Sequence, residues 1–117
     1  MTNSPAAQEQ TAKLSICILS WNTCQLLADC LHSLYDDPEA RHWQVIVVDN
    51  DSADDSAHMV AAQFPQVELI RSEQNLGFAG GNNLAISTAT APVLLLLNSD
   101  TRVPVGALGH LLDHLRQ

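Results

Sequence analysis

Short polar groups follow the apolar runs of this sequence, and two of them have side chains suited to ligand chemistry. Asn98, Ser99 and Asp100 come directly after the aliphatic residues 93–97. Carboxylate and amide oxygens beside a diphosphate form the oxygen-rich surroundings that Mg²⁺ or Mn²⁺ prefers. Asp100 and Asn98 are therefore candidates for holding a cation. The alternative interpretation is an Asx turn before Pro104, which needs no ligand.

Asp49 is the second candidate, because it directly follows the β-branched run 45–48. Its carboxylate can accept a hydrogen bond from a ribose hydroxyl or a nucleobase N–H, or it can help to cap the next helix. Ser20-Trp21-Asn22 ends the first apolar run, and Trp21 either lies over a flat base or packs at the sheet edge. The pattern leaves both pairs of alternatives open.

The glycine-rich segment 75–83 is the third candidate, and it is the weakest. Its main-chain N–H groups could approach a phosphate, beside Arg71, or its glycines could serve close backbone packing. The segment has neither the dinucleotide fingerprint nor the P-loop lysine, which disfavours both of those classes. His110 and His114, four apart on a predicted helix, could chelate a metal, but a solvated helix face is favoured.

Apolar patterning predicts the elements that position these groups. Strands are expected at 14–19, 45–48, 67–70 and 93–97. Helices are expected from Asn22 or Thr23 to 36, from a Ser52–Asp55 capping box to 64, near 84–89 after a loop over 75–83, and from Pro104 to the chain end. This alternation predicts a Rossmann-like, three-layer α/β fold with a mainly parallel sheet of about four strands. The loops that begin at Ser20, Asp49 and Asn98 should then face one crevice.

Composition limits the remaining possibilities. A chain of 117 residues, 46% hydrophobic and 15% charged, is expected to form one domain over 13–117 after a disordered tail over 1–12. A net charge of −8 argues against a nucleic-acid partner. The three cysteines show no zinc-binding spacing, which favours a reducing compartment. No apolar run approaches the ~20 residues that cross a bilayer, so no transmembrane segment is expected.

Four segments taken together resemble the nucleotide-binding half of family 2 glycosyltransferases, which have the GT-A fold. They are residues 15–22, 45–56, 75–83 and 94–101. The last two segments look most like the rhamnosyltransferase-like branch, where the Asp-x-Asp signature often reads Asn-x-Asp.

The resemblance implies roles for individual residues. Asp49 would contact the nucleotide base, Asp100 would ligate a Mg²⁺ or Mn²⁺ ion that bridges the donor diphosphate, and Asn98 would lie near the ribose and diphosphate. Ser20 and Trp21 would line the base pocket. The predicted donor-binding set is Ser20, Trp21, Asn22, Asp49, Asn82 and Asn98, with Asp100 as the metal ligand.

The resemblance also implies a function and a location. The chain is expected to bind a UDP- or dTDP-linked sugar for transfer to the hydroxyl of an acceptor glycan or lipid-linked sugar, in the cytoplasm or at the inner face of a membrane. Family members usually continue for a hundred or more residues that supply the acceptor site and the catalytic base. The chain is therefore expected to be the N-terminal donor-binding half, incomplete as a catalyst.

The alternative hypothesis is a non-catalytic Rossmann-like interaction or regulatory module. Such a module would form a homo-oligomer that covers the apolar surface left by a missing distal half. A phosphoacceptor receiver domain also matches the length and fold class. It is disfavoured because no pair of acids follows the first strand and the one lysine, Lys13, follows no fifth strand.

Overall fold

Strands and helices alternate along the part of the chain that the computed structural model describes, residues 12–115. The predicted tail lies outside the described residues, apart from Ala12. A short 3-10 helix, Pro38–His42, precedes the second strand. The strands are β1 (Leu14–Ser20), β2 (Trp43–Asn50), β3 (Glu68–Ser72) and β4 (Leu94–Asn98), and the helices are α1 (Cys24–Tyr35), α2 (Ser56–Gln63), α3 (Gly77–Thr88) and α4 (Ala107–Leu115).

The four strands form one parallel sheet with the order β3-β2-β1-β4. The chain moves outward from β1 through β2 to β3 and then crosses back to place β4 on the other side of β1. This reversal makes the boundary between β1 and β4 the topological switch point of the sheet, where ligands of open α/β folds bind. The predicted α/β fold with a parallel sheet of about four strands is confirmed.

Helices cover both faces of the sheet, which gives the three layers. The larger core lies on one face, where α1, α2 and α4 contribute buried residues such as Leu31, Val60 and Leu112. The smaller core lies on the other face, where Ala85 of α3 joins Cys17 of β1. Each fully buried aliphatic side chain contributes about 1.5–3 kcal/mol. The continuous β-branched runs of β1 and β2 are buried because both of their faces are covered.

The glycine-rich segment is mostly helical, so the loop predicted over 75–83 is wrong. α3 begins at Gly77, seven positions before the predicted start near Leu84, and the left-handed φ of +75° at Gly77 starts it. Gly80 and Gly81 continue the helix although glycine disfavours it. A Cβ on Gly81 would collide with the end of the Leu19 side chain. The absence of that Cβ lets α3 approach β1 closely.

We expect Gly81→Ala to lower the free energy of unfolding and Gly109→Ala to raise it. Alanine gains about 0.5–1 kcal/mol over glycine in a helix. At Gly81 the added Cβ would force the Leu19 side chain away from its packing against the smaller core, at a cost of about 1–3 kcal/mol, which outweighs that gain. At Gly109 of α4 a Cβ would meet nothing within 4 Å. Urea unfolding of both variants is the measurement, and a change of the same sign in both would contradict this account of α3.

The helix starts differ from the predicted ones in two further places. The Ser52–Asp55 capping box does not form, because α2 begins at Ser56 and the Ser52 hydroxyl accepts a hydrogen bond from the Asn22 N–H instead. α4 begins at Ala107, three residues after Pro104, whose carbonyl accepts from the Ala107 N–H. In both cases contacts outside the local pattern decide where the helix starts.

The segment 99–106, which follows β4, runs along α1 and is tied to it by side chains. Asp29 pairs with Arg102 at 3.1 Å, and the Ser33 hydroxyl accepts from the Val103 N–H at 2.9 Å. Asp37 is buried; its Oδ2 accepts from the Gly106 N–H at 2.9 Å. We call residues 99–106 the α1 strap. These contacts hold the segment that contains Asp100 against α1.

β4 lies at the edge of the sheet and exposes apolar side chains on the α3 face. Leu94 is 46% exposed and Leu96 is 51% exposed, while Leu95 and Leu97 pack against the larger core. A second copy of the chain could cover this face, and the homo-oligomer predicted from the sequence stays a prediction.

Candidate functional site

A cavity of about 290 Å³ lies at the switch point between β1 and β4. Its polar lining comes from the N-terminus of α1, from α3 and from the turn after β4: Thr23, Asn82, Asn98, Ser99 and Asp100. The other half of the lining is apolar and includes Leu19 and Phe78. The structure therefore brings together three of the predicted site residues, Asn82, Asn98 and Asp100.

The other predicted site residues lie at the same edge of the sheet but outside the lining of this cavity. Asp49 pairs in register with Ser20, and Asn98 pairs with Leu19. β1 thus separates Asp49 from Asn98 by two strand spacings, about 10 Å. Ser20 and Asp49 point to the face of α1, whereas Asn98 points to the face of α3, because side chains alternate along a strand. The predicted set forms two neighbouring groups along one edge.

Two buried polar atoms among the described residues have no hydrogen-bond partner, and both belong to predicted site residues. They are Oδ1 of Asp49 and Nδ2 of Asn82. Asp49 is 5% exposed and Asn82 is 7% exposed. The other carboxylate oxygen of Asp49 accepts a long hydrogen bond of 3.4 Å from the Ser52 N–H. Leaving such groups unpaired costs about 1–3 kcal/mol each, more for a charged group, so a ligand that supplies the partners would bind favourably.

Asn22 joins the loop after β1 to the loop after β2. Its Oδ1 accepts from the Ala53 N–H at 2.7 Å, and its own N–H donates to the Ser52 hydroxyl at 2.9 Å. Its φ of 54° is left-handed, a conformation that asparagine tolerates better than most residues. The side-chain oxygen of Asn22 is therefore occupied within the protein, whereas Trp21 beside it is 54% exposed.

Two residues beside the predicted site make contacts that the sequence reasoning missed, Asp54 with the Cys24 N–H and Thr23 with the Ser99 hydroxyl. Oδ2 of Asp54 accepts from the Cys24 N–H at 3.1 Å and so caps α1 from another loop. Hydrogen bonds from Ser56 and from the Cys24 N–H hold the pKa of Asp54 below its usual value. Thr23 precedes α1 without capping it. Asp54 caps α1 from 30 positions away and Thr23 contacts Ser99 76 positions away, so no local pattern indicates these two contacts.

The donor set at the end of β4 fits a divalent cation that takes most of its ligands from elsewhere. Within residues 12–115, no three His, Cys, Asp or Glu side chains are grouped to hold a metal ion. Asp100 offers an exposed carboxylate, and Asn98 offers an exposed amide oxygen on the same turn. Mg²⁺ and Mn²⁺ bind through one or two carboxylates together with substrate phosphates and water. His110 and His114 are exposed on α4.

The cysteines of the described residues are all free thiols. Burial, with a smaller contribution from the negative charge of Asp100, raises the pKa of Cys30 to about 11. The thiol is therefore protonated at neutral pH and is not an activated nucleophile. Burial likewise raises the pKa of Cys17. These two thiols serve packing.

The sequence profile of glycosyl transferase family 2 matches residues 15–117. The chain belongs to that family. Among its sequence relatives, the succinoglycan biosynthesis protein ExoU of Rhizobium meliloti is 32% identical over 107 residues, covering 87% of this chain and 31% of ExoU. A family 2 assignment explains the parallel sheet and the polar edge together.

Solved structures confirm the GT-A-like fold of this family 2 chain. S. aureus TarS 1-349 in complex with UDP-GlcNAc has a TM-score of 0.76 at 25% identity, covering 89% of this chain and 31% of that one. The mannosyltransferase PcManGT from Pyrobaculum calidifontis, in complex with GDP-Man and Mn²⁺, has a TM-score of 0.73 at 22% identity, covering 89% of this chain and 31% of that one.

The family 2 chain is much shorter than its relatives. It spans 30% and 31% of the length of two sequence relatives that it matches. Across the described residues, no helix combines the length and the apolar character needed to cross a membrane.

Proposed function

We propose that this chain is the donor-binding part of a glycosyltransferase and binds a nucleoside-diphosphate sugar together with Mg²⁺ or Mn²⁺. The observation that supports this most is the pair of unpartnered buried atoms, the acceptor Oδ1 of Asp49 near the end of β2 and the donor Nδ2 of Asn82 on α3. An elongated ligand with an N–H or hydroxyl donor at one end and anionic oxygens at the other would satisfy both.

The base end of the proposed site lies over β2 and β1. Asp49 would accept a hydrogen bond from the base, and the exposed ring of Trp21 would lie against its flat face. Ser20 is fully buried beside Asp49, and it supports the floor of this pocket. Asn22 acts here by holding the two loops together through its contact with Ala53.

The diphosphate end lies in the cavity at β4. Asp100 would ligate the cation, Asn98 would bind beside it, and Nδ2 of Asn82 would donate to a phosphate oxygen. The cation supplies positive charge that offsets the charge developing on the leaving diphosphate. Asn98 in place of a first carboxylate leaves one negative side chain on this turn, so we propose that the nucleotide and the cation bind together.

The proposed reaction is glycosyl transfer to an acceptor hydroxyl. The acceptor oxygen bonds to the anomeric carbon while the bond from that carbon to the diphosphate breaks, and the acceptor proton goes to a base opposite the leaving group. The residues assigned here all serve the donor side of that displacement. We propose this transfer as the activity of the whole glycosyltransferase to which the donor-binding part belongs.

The neighbours support the class of donor and not its identity. TarS binds UDP-GlcNAc, and PcManGT binds GDP-Man with Mn²⁺. We propose UDP or dTDP as the nucleotide and the rhamnosyltransferase-like branch, on the strength of Asn98-Ser99-Asp100. The cytoplasm is the proposed location, since free thiols suit a reducing compartment.

Calorimetric titration of the 117-residue chain with UDP, dTDP and GDP, with and without Mn²⁺, tests the proposal. We expect binding of at least one nucleotide, with Mn²⁺ raising its affinity at least about tenfold, the effect of a charge-assisted contact of about 1.5 kcal/mol. Urea unfolding of the same sample verifies that it is folded. A folded sample that binds none of the three nucleotides would reject the proposal.

A further inference from the structure

We propose that Thr23 is a positioning residue. Its hydroxyl, shared between two loops, holds the cation-binding end of the donor site at a fixed position relative to the base-binding end. The inference rests on the proposed function, because it concerns how the two ends of that site are held in register. It assigns no contact between Thr23 and the reacting atoms.

The Thr23 hydroxyl bridges two loops that carry the predicted site residues. Its Oγ1 lies 3.1 Å from Oγ of Ser20, at the end of β1, and 3.1 Å from Oγ of Ser99, between Asn98 and Asp100. A hydroxyl carries one donor and two acceptor positions, so it can serve both partners at once. Ser20 is fully buried beside Asp49, and Ser99 is half-buried in the cavity wall. One hydroxyl therefore connects the neighbour of Asp49 to the neighbour of Asp100.

The local structure frees Thr23 for this bridge. Thr23 occupies the N-cap position of α1, where a threonine hydroxyl usually accepts from a backbone N–H of the first turn. It makes no such hydrogen bond. Asp54 accepts from the Cys24 N–H instead. Removing the Thr23 hydroxyl would therefore leave the cap of α1 in place, which separates a positioning role from a helix-stabilising one.

The bridge includes the Thr23–Ser99 contact, and this contact of the α1 strap lies in the cavity wall. Thr23 and Ser99 both line the cavity, whereas Ser33 and Asp37, which hold the strap further along α1, do not. Those distant contacts fix the strap on the helix. The Thr23–Ser99 contact fixes the end of the strap from which Asp100 extends. Small displacements of a positioned group cost much of its effect on a bound ligand.

The test measures the cation-dependent gain in nucleotide affinity, which is the ratio of the UDP dissociation constants without and with Mn²⁺. Thr23→Val keeps the shape of the side chain and removes the hydroxyl, and we expect it to lower this ratio on the order of three- to tenfold, the value of one or two ordinary hydrogen bonds. Thr23→Ser should restore it. Ser99→Ala should resemble Thr23→Val, and the double variant should be no worse than either single one.

Ser33→Ala is the matched control, because it removes a contact of the same strap outside the cavity. We expect it to lower the free energy of unfolding and to leave the ratio unchanged. A ratio for Thr23→Val within twofold of the wild-type value would overturn the inference while leaving the proposed function intact. An equal fall of the ratio in Ser33→Ala would overturn it too, since the effect would then be general destabilisation.

A second arm needs no ligand and keeps the two failures apart. The Thr101 N–H donates to the Asn98 carbonyl at 3.1 Å and closes the turn that holds Ser99 and Asp100. We expect Thr23→Val to speed hydrogen exchange of this amide on the order of three- to tenfold, with Thr23→Ser close to wild type. If wild-type protein binds no nucleotide, the proposed function fails. Hydrogen exchange of the Thr101 amide still tests whether the Thr23 hydroxyl holds the turn in place. Unchanged exchange in Thr23→Val overturns the inference.

Discussion

Replacing Asp100 by alanine is expected to abolish the gain in UDP affinity that Mn²⁺ provides. Asp100 is the carboxylate that the turn after β4 presents to the cavity. Mutating a residue that only hydrogen-bonds to a metal ligand typically lowers metal affinity about 10–100-fold. Loss of the ligand itself should therefore lower it at least about tenfold. Titration of the variant with UDP in the presence and absence of Mn²⁺ gives the effect directly.

Asp113→Ala is the matched control, because it removes the same charge from an exposed position on α4, outside the cavity. It should retain the Mn²⁺-dependent gain. Asp100→Asn should fall between Asp100→Ala and wild type, since an amide oxygen is a weaker cation ligand than a carboxylate. Equal Mn²⁺ dependence in Asp100→Ala and wild type would remove Asp100 from the metal site.

Asp49→Ala is expected to weaken nucleotide binding without lowering the free energy of unfolding of the unliganded protein. The side chain is 5% exposed, and one carboxylate oxygen has no partner. A hydrogen bond to a charged group contributes about 1.5–3 kcal/mol, which corresponds to a loss of roughly 10- to 150-fold in affinity. Without ligand, the buried carboxylate is a cost to the fold, and its removal relieves that cost.

Calorimetry and urea unfolding on the same samples separate binding from stability. Asp49→Ala should bind UDP weakly both with and without Mn²⁺, unlike Asp100→Ala, because the base end does not involve the cation. If Asp49→Ala lowered the unfolding free energy and bound UDP as wild type does, Asp49 would be a structural residue that caps the loop to Ser52.

The sheet could be predicted because its signal is local. β1 and β2 are mostly apolar and buried on both faces, and the polar residues at their carboxyl ends, Ser20 in β1 and Asp49 and Asn50 in β2, still belong to the strands. The start of α3 could not be predicted, because glycine at positions 80 and 81 opposes a helix in isolation. At Gly81 the contact with Leu19, from a strand far away in sequence, explains the glycine, and at Gly80 a Cβ would lie 2.9 Å from the Cβ of Leu76.

The candidate site shows the same division. The position of Asn98 and Asp100 in the cavity lining could be predicted from the strand that precedes them, and that of Asn82 from the resemblance; their roles as donor and metal ligands stay predictions. The bridging role of Thr23 could not, because its partner Ser99 is 76 positions away. The capping role of Asp54 could not be predicted either, because its partner, the Cys24 N–H, is 30 positions away. Contacts of this kind depend on which loops the topology brings together.

The α1 strap has a consequence for the thermodynamics of ligand capture. Because Ser99, Arg102, Val103 and Gly106 are each tied to α1 or to the residues at its two ends, peeling the segment away would break several contacts at once. The Thr23–Ser99 contact, next to Asp100 at the start of this segment, preorganises the Asp100 carboxylate before any ligand arrives, so little conformational entropy is lost there on association. Any change of shape that accommodates different donors would then occur in the cavity wall formed by α3, where the Phe78 side chain is 71% exposed.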